Sequence, residues 1–136
     1  MHMKFTLLIL IFVAISLFAA NEVRKIYLCR KCDICLVKDS TPSSTGCSAT
    51  GSHNWTLLGE AGNEVYLCSK CKHAVYIKSR PNAGNCSAAG SHTWNKLGTR
   101  GETPYQCRKC QVKVYMDKAP GSMNCPASGS HSWNKL

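Results

Sequence analysis

Acidic side chains are scarce in this sequence. Seven Asp and Glu stand against seventeen Lys and Arg, leaving a formal charge of +10 at pH 7. That balance favours anionic partners such as nucleic acid, a cell-wall polymer or a lipid headgroup. The sequence also lacks any run of five or more Lys or Arg. A spread-out charge of this kind serves solubility as well as binding. Helical periodicity is missing after residue 20, which argues against a helix bundle and for a mostly-β chain.

Cysteine is plentiful, with ten in 136 residues. Length alone would suggest one domain. The cysteines override that, because they recur at a fixed period. Cys29, Cys68 and Cys107 are spaced by 39, as are Cys32, Cys71 and Cys110. Cys47, Cys86 and Cys125 keep the same interval, and so do His53, His92 and His131. The pattern C-x2-C-x14-C-x5-H therefore occurs three times with no insertion or deletion. Three soft sulfur donors and one imidazole per unit are the donor set of a closed, four-coordinate structural zinc site. The expected cofactor is Zn2+, one ion per unit. Each filled site sets three thiolates against one divalent cation, so three of them lower the charge from +10 to about +7. A unit of 39 residues buries too little apolar surface to fold without such a staple.

At this ligand count the units resemble zinc-ribbon and zinc-knuckle modules. The resemblance runs from the first cysteine of each unit to its histidine. It implies a metal-held hairpin and no particular function. Two departures stand out. The second ligand pair is C-x5-H, and the usual glycine after the first knuckle is replaced by Asp33, Lys72 and Gln111.

The opening segment, residues 1–20, has a lysine, an apolar run over 5–20 and then polar Asn21 and Glu22. This is the layout of a secretory signal peptide, with cleavage expected after Ala20. The rival is an uncleaved single-pass anchor, with Arg24 and Lys25 held on the cytoplasmic side. The domain division is then 1–20 for the signal helix, and 21–58, 59–97 and 98–136 for three modules. The fold class expected is a tandem of three small, mostly-β, zinc-ribbon-like repeats.

Within a unit, Val65-Tyr66-Leu67 leads into the first knuckle as a short strand. Val75-Tyr76-Ile77 and Val114-Tyr115-Met116 alternate as half-buried strands do, and Leu36-Val37-Lys38 is their weaker counterpart. Pro42, Pro81 and Pro120 close that strand. Gly51, Gly90 and Gly129 are expected at positive φ, turning each histidine back toward the cysteines. A third short strand begins at each histidine. The joints Leu-Gly-Glu-Ala-Gly and Leu-Gly-Thr-Arg-Gly read as brief glycine turns.

Each remaining repeated residue has two readings. Trp55, Trp94 and Trp133 either pack against the metal or form a platform for sugars or bases. Tyr27, Tyr66 and Tyr105 have the same pair. Lys31, Lys70 and Lys109 either offset the negative thiolates or contact an anionic ligand. Cys35, in unit one only, is a spare thiol or an alternative ligand; His73, in unit two only, is a surface residue. A Cys–His catalytic pair is disfavoured, since no carboxylate recurs to orient the base and four protein ligands close the metal.

The functional expectation is a secreted or cell-surface repeat protein, not an enzyme, with a structural or binding role toward a surface polymer or protein. Contact with membrane is transient, through the signal segment. Two alternatives remain open. One is an anchored or cytoplasmic zinc protein that binds nucleic acid. The other is a disulfide-rich cationic defence protein. In the latter, Cys35 makes the count of unit one even, but the odd number of cysteines in units two and three requires a bridge between them and leaves the repeated histidines unexplained.

Overall fold

Segments rich in β-branched and aromatic residues precede each first cysteine, and they form strands. The computed structural model describes residues 22–136, so the expected signal segment lies outside the described residues. The strands are β1 (Lys25–Cys29), β2 (Cys35–Lys38), β3 (Trp55–Cys68), β4 (Ala74–Ile77), β5 (Trp94–Cys107), β6 (Lys113–Met116) and β7 (Trp133–Lys135). All recorded pairings are antiparallel. Among the described residues no helix is long and apolar enough to cross a membrane.

The three units are joined by strands they share. Unit one is a three-stranded sheet in which β1 lies between β2 and the first half of β3. The second half of β3 is the central strand of unit two, between β4 and the start of β5. Likewise β5 continues into unit three, between β6 and β7. The expected glycine turns are therefore absent. The expected boundaries at 58/59 and 97/98 fall inside continuous strands of 14 residues each.

The joint glycines bulge the strand instead of turning it. Ile26 pairs with Gly59 and Tyr27 with Leu57, so Leu58 is an extra residue, and it is buried. Leu97 is its copy, between Gly98 and Lys96. A second bulge follows, where Ala61 and Glu64 both face Ile77. There the strands approach so closely that a Cβ on Gly62 would lie 2.6 Å from the Lys78 backbone. Gly101 meets the Asp117 backbone in the same way.

Because strands are shared, the apolar core sits between units. Ile26, Leu28 and Leu58 of unit one form one cluster with Val75, Ile77, Cys86 and Trp94 of unit two. Val65, Leu67 and Leu97 of unit two cluster with Val114 and Met116 of unit three. Each fully buried aliphatic side chain contributes about 1.5–3 kcal/mol relative to exposure, so a junction built from several of them contributes stability that a separated unit would lack. At the outer faces the pattern changes. Unit three has Pro104 and Gln106 where unit two has Val65 and Leu67. Unit one has Leu36 and Lys38 where units two and three have Val75 and Ile77, or Val114 and Met116. This explains the weakness of β2, whose four residues are exposed apart from half-buried Leu36.

The Gly62→Ala substitution is expected to cost about 1–3 kcal/mol, because the backbone of Lys78 cannot yield as a side chain would. At Gly84 a Cβ would meet only the Asn82 side chain at 3.6 Å. The Gly84→Ala change should stay within about 0.5 kcal/mol. Urea unfolding of both variants beside the parent protein checks the difference.

Candidate metal centres

Each central strand ends at the first cysteine of a knuckle. The chain then reverses through two backbone bonds. In unit one the Cys29 amide donates to the Ile34 carbonyl at 2.9 Å and the Asp33 amide to the Cys29 carbonyl at 2.9 Å. Cys68 with His73 and Lys72, and Cys107 with Val112 and Gln111, repeat the arrangement. The turn needs a left-handed residue, which glycine ordinarily supplies. Here Asp33, Lys72 and Gln111 adopt it, at φ of 60°, 65° and 64°. The missing glycines thus change the residue and keep the conformation.

The other two ligands come from a loop. The amides of Cys47, Cys86 and Cys125 donate to the carbonyls of Gly51, Gly90 and Gly129, at 2.8–3.1 Å. Those glycines lie at φ of 56°, 59° and 57°, as the sequence leads one to expect. Two residues after each histidine, the tryptophan folds over its ring. Centroids are 4.6 Å apart for His53–Trp55 and His92–Trp94, and 4.7 Å for His131–Trp133. The indole N–H donates to a carbonyl at the loop start, from Ser43, Asn82 or Gly121, at 2.9–3.0 Å. The tryptophans are packing residues on their own histidines, and Trp94 is only 3% exposed. Tyr27 and Tyr66 are buried and Tyr105 is half-buried.

These elements bring together Cys29, Cys32, Cys47 and His53; Cys68, Cys71, Cys86 and His92; and Cys107, Cys110, Cys125 and His131. Within each group the four donor atoms all lie within 4.8 Å of one another, so each group could hold a metal ion. The second cysteine's Sγ is 3.4, 3.5 and 3.6 Å from the histidine Nδ1 in units one, two and three. The Cys107 and Cys125 sulfurs are 3.9 Å apart. A tetrahedral ion with ordinary zinc bond lengths has edges of roughly 3.6 Å for S···N and about 3.8 Å for S···S. All ten cysteines are free. Cys35 is exposed and lies outside the unit-one group.

The sulfurs of a site differ in acidity. Burial pushes the Cys29 thiol up, but hydrogen bonds from the Cys32 backbone, the His53 ring and the backbone at Asn54 and Lys31 outweigh it and hold it at about 6. Cys107 is held at about 6 in the same manner, and Cys68 is also lowered. The second cysteine goes the other way. Burial, helped by the Cys68 and Cys86 sulfurs, pushes Cys71 up to about 12; Cys110 rises to about 11 beside Cys107 and Cys125. The knuckle amides thus stabilise one thiolate per site, and that charge opposes a second. A central cation would remove the opposition. Burial, then the nearby His73, lowers the pKa of His92 and keeps its ring neutral, as a nitrogen donor must be. Nδ1 of His92 and His131 is the ring nitrogen on the sulfur side and so the candidate donor, while their Nε2 atoms are buried without a hydrogen-bond partner.

Lysines and one histidine around the knuckles make further contacts. Lys31 and Lys70 tie the knuckle to the ligand loop, donating to the carbonyls of Ser52 and Ser91 at 2.9 Å each. Lys109 is exposed. His73 is half-buried, not a plain surface residue. Its Nε2–H donates to the Asp33 carbonyl of unit one at 2.9 Å, and its Nδ1 lies 3.3 Å from the Cys71 sulfur. A repeat-level signal existed: His73 fills a position that is Ile34 and Val112 in the other units.

Compared with family models, curated proteins and solved structures, the chain matches none.

The Trp94→Ala variant is expected to lose about 3–5 kcal/mol of stability, since it opens a cavity beside a buried ligand. Trp55→Ala, at a half-buried position, should lose less. Urea midpoints of the two variants, measured on the metal-loaded protein, test the order.

Proposed function

We propose that the chain is a secreted or cell-surface repeat protein in which one zinc ion per unit serves as a folding staple. Its role is structural or binding, and no unit catalyses a reaction. The observation that carries this reading is the grouping of three sulfurs and one Nδ1 within 4.8 Å, repeated three times. Soft sulfur and imidazole donors suit zinc, and four protein donors leave no open position for substrate. Each unit is then a zinc-ribbon-like hairpin. Cys29, Cys32, Cys47 and His53 hold one ion, Cys68, Cys71, Cys86 and His92 the second, and Cys107, Cys110, Cys125 and His131 the third. Bound zinc supplies folding free energy of about 10–16 kcal/mol in small zinc-finger peptides, which decides whether so short a unit folds.

Secretion rests on the apolar segment 1–20 and its polar boundary. The partner surface rests on charge and aromatics. The Arg100 guanidinium lies 5.1 Å over the Tyr76 ring, and the Lys113 ammonium 5.4 Å over exposed Tyr115. The Tyr76 hydroxyl accepts from the Tyr115 amide at 2.8 Å, which joins the two pairs. Such a ridge suits an anionic polymer or an acidic protein face. The tryptophans, engaged by their histidines, take no part.

Native mass spectrometry of the protein from its own host is expected to show three zinc ions per chain and free thiols on denaturation. The Cys86→Ser variant should carry two. Acid should release the ions, because protons compete for all three thiolates of a site. The same spectra should lack residues 1–20, and the protein should be in the medium or envelope fraction. Recovery from the cytoplasm alone would rule out the secreted reading.

A further inference from the structure

The three sites have the same ligands and different cover. In unit two the ligand loop is roofed by unit one, with Ile26, Leu28 and Leu58 packed in one cluster with Cys86 and Trp94. It is also pinned there. The Asn82 amide donates to the Leu58 carbonyl at 2.8 Å, and the Asn85 side chain to Thr56 Oγ1 at 3.2 Å. Unit three repeats this with Gly121 on the Leu97 carbonyl at 2.8 Å and Asn124 on Asn95 at 2.7 Å.

Among the described residues, the bonds of the unit-one loop stay within unit one. Trp55 donates to Ser43, Lys31 to Ser52, and the His53 amide to Ser44. Where units two and three meet a neighbour, unit one has an open cavity of about 600 Å³. Ile34, Leu36, Pro42, Ser43, His53 and Trp55 line it. Burial follows this order. All four donors are buried in site three, all but Cys71 in site two, and only Cys29 in site one.

We propose that site one is a metal-exchange site, where the ion passes to and from small thiol or carboxylate ligands entering through this cavity. Sites two and three keep their ions for as long as the fold lasts. The proposal rests on the zinc reading above. His53 is the neutral ligand at the cavity wall, so its nitrogen can be displaced first without a change of charge. Cys47, Cys32 and Cys29 then release the ion to the incoming donor, and solvent supplies a proton to each sulfur that does not stay a thiolate. No electrons move. Opening of the unit-one loop breaks neither pinning bonds nor an apolar roof, so it should be more than about tenfold more frequent than in units two and three.

The test uses the full chain carrying its ions, treated with excess EDTA. Samples are quenched at intervals with N-ethylmaleimide, and the modified cysteines are mapped. Cys35, exposed and outside the sites, should react before any ion leaves. The first ion lost should coincide with modification of Cys29, Cys32 and Cys47, at least about tenfold ahead of the cysteines of sites two and three. Equal rates at the three sites, or first modification in site two or three, would overturn the proposal and leave the zinc reading intact. Protein isolated without metal would overturn both. In a second arm, the Asn82→Ala and Asn85→Ala double variant removes the two side-chain pins of site two, Asn82 Nδ2 to the Leu57 carbonyl at 3.3 Å and Asn85 Nδ2 to Thr56 Oγ1, and leaves the Asn82 backbone bond in place. Its release should accelerate toward that of site one; an unchanged rate would also overturn the proposal.

Discussion

Three sulfurs and an imidazole nitrogen crowded within 4.8 Å are the constraint on which the rest of the molecule depends. Bringing such groups together costs free energy, because charge on one sulfur opposes charge on the next. The fold is arranged to hold them regardless. Amides in the knuckle gather round the first sulfur. A left-handed glycine aims the histidine, and an indole lies flat on its ring. A lysine in units one and two draws the loop to the knuckle. All of these are local in sequence, which is why the unit can be repeated without altering its spacing.

Stability beyond the sites is not local. It belongs to junctions, where apolar residues of one unit meet those of the next, and to long strands that serve two sheets at once. Bulges at Leu58 and Leu97 make this possible. Each turns a leucine into the junction while the strand runs on. The units are therefore distinct in their Cys3His donor groups and continuous in their backbone.

Much of a site was legible in the sequence, because its signals are short-range. The period of 39 grouped the twelve donors, and the glycines before each Ser-His pair announced their backbone conformation. The shared strands were not legible. A glycine in a joint permits a turn and a bulge equally well. Only what stands opposite decides, and for Gly62 that is the Lys78 backbone, reached through β4. His73 was hidden for a similar reason. Its partner, the Asp33 carbonyl, is 40 residues earlier and in another unit. Lys31 and Lys70 also donate to carbonyls 21 residues on, a contact that their charge alone does not announce.

The change of residues at the outer faces has a consequence for how such a chain can lengthen. Unit two alone has both an apolar face to offer, with Val65 and Leu67, and an apolar face to receive, with Val75 and Ile77. A duplicate of it would fit between its neighbours, forming one more junction of the kind already there. A copy of unit one or unit three placed in the interior would bring Lys38 or Gln106 into an apolar contact. Growth by duplication is thus permitted from the middle of the array and penalised elsewhere.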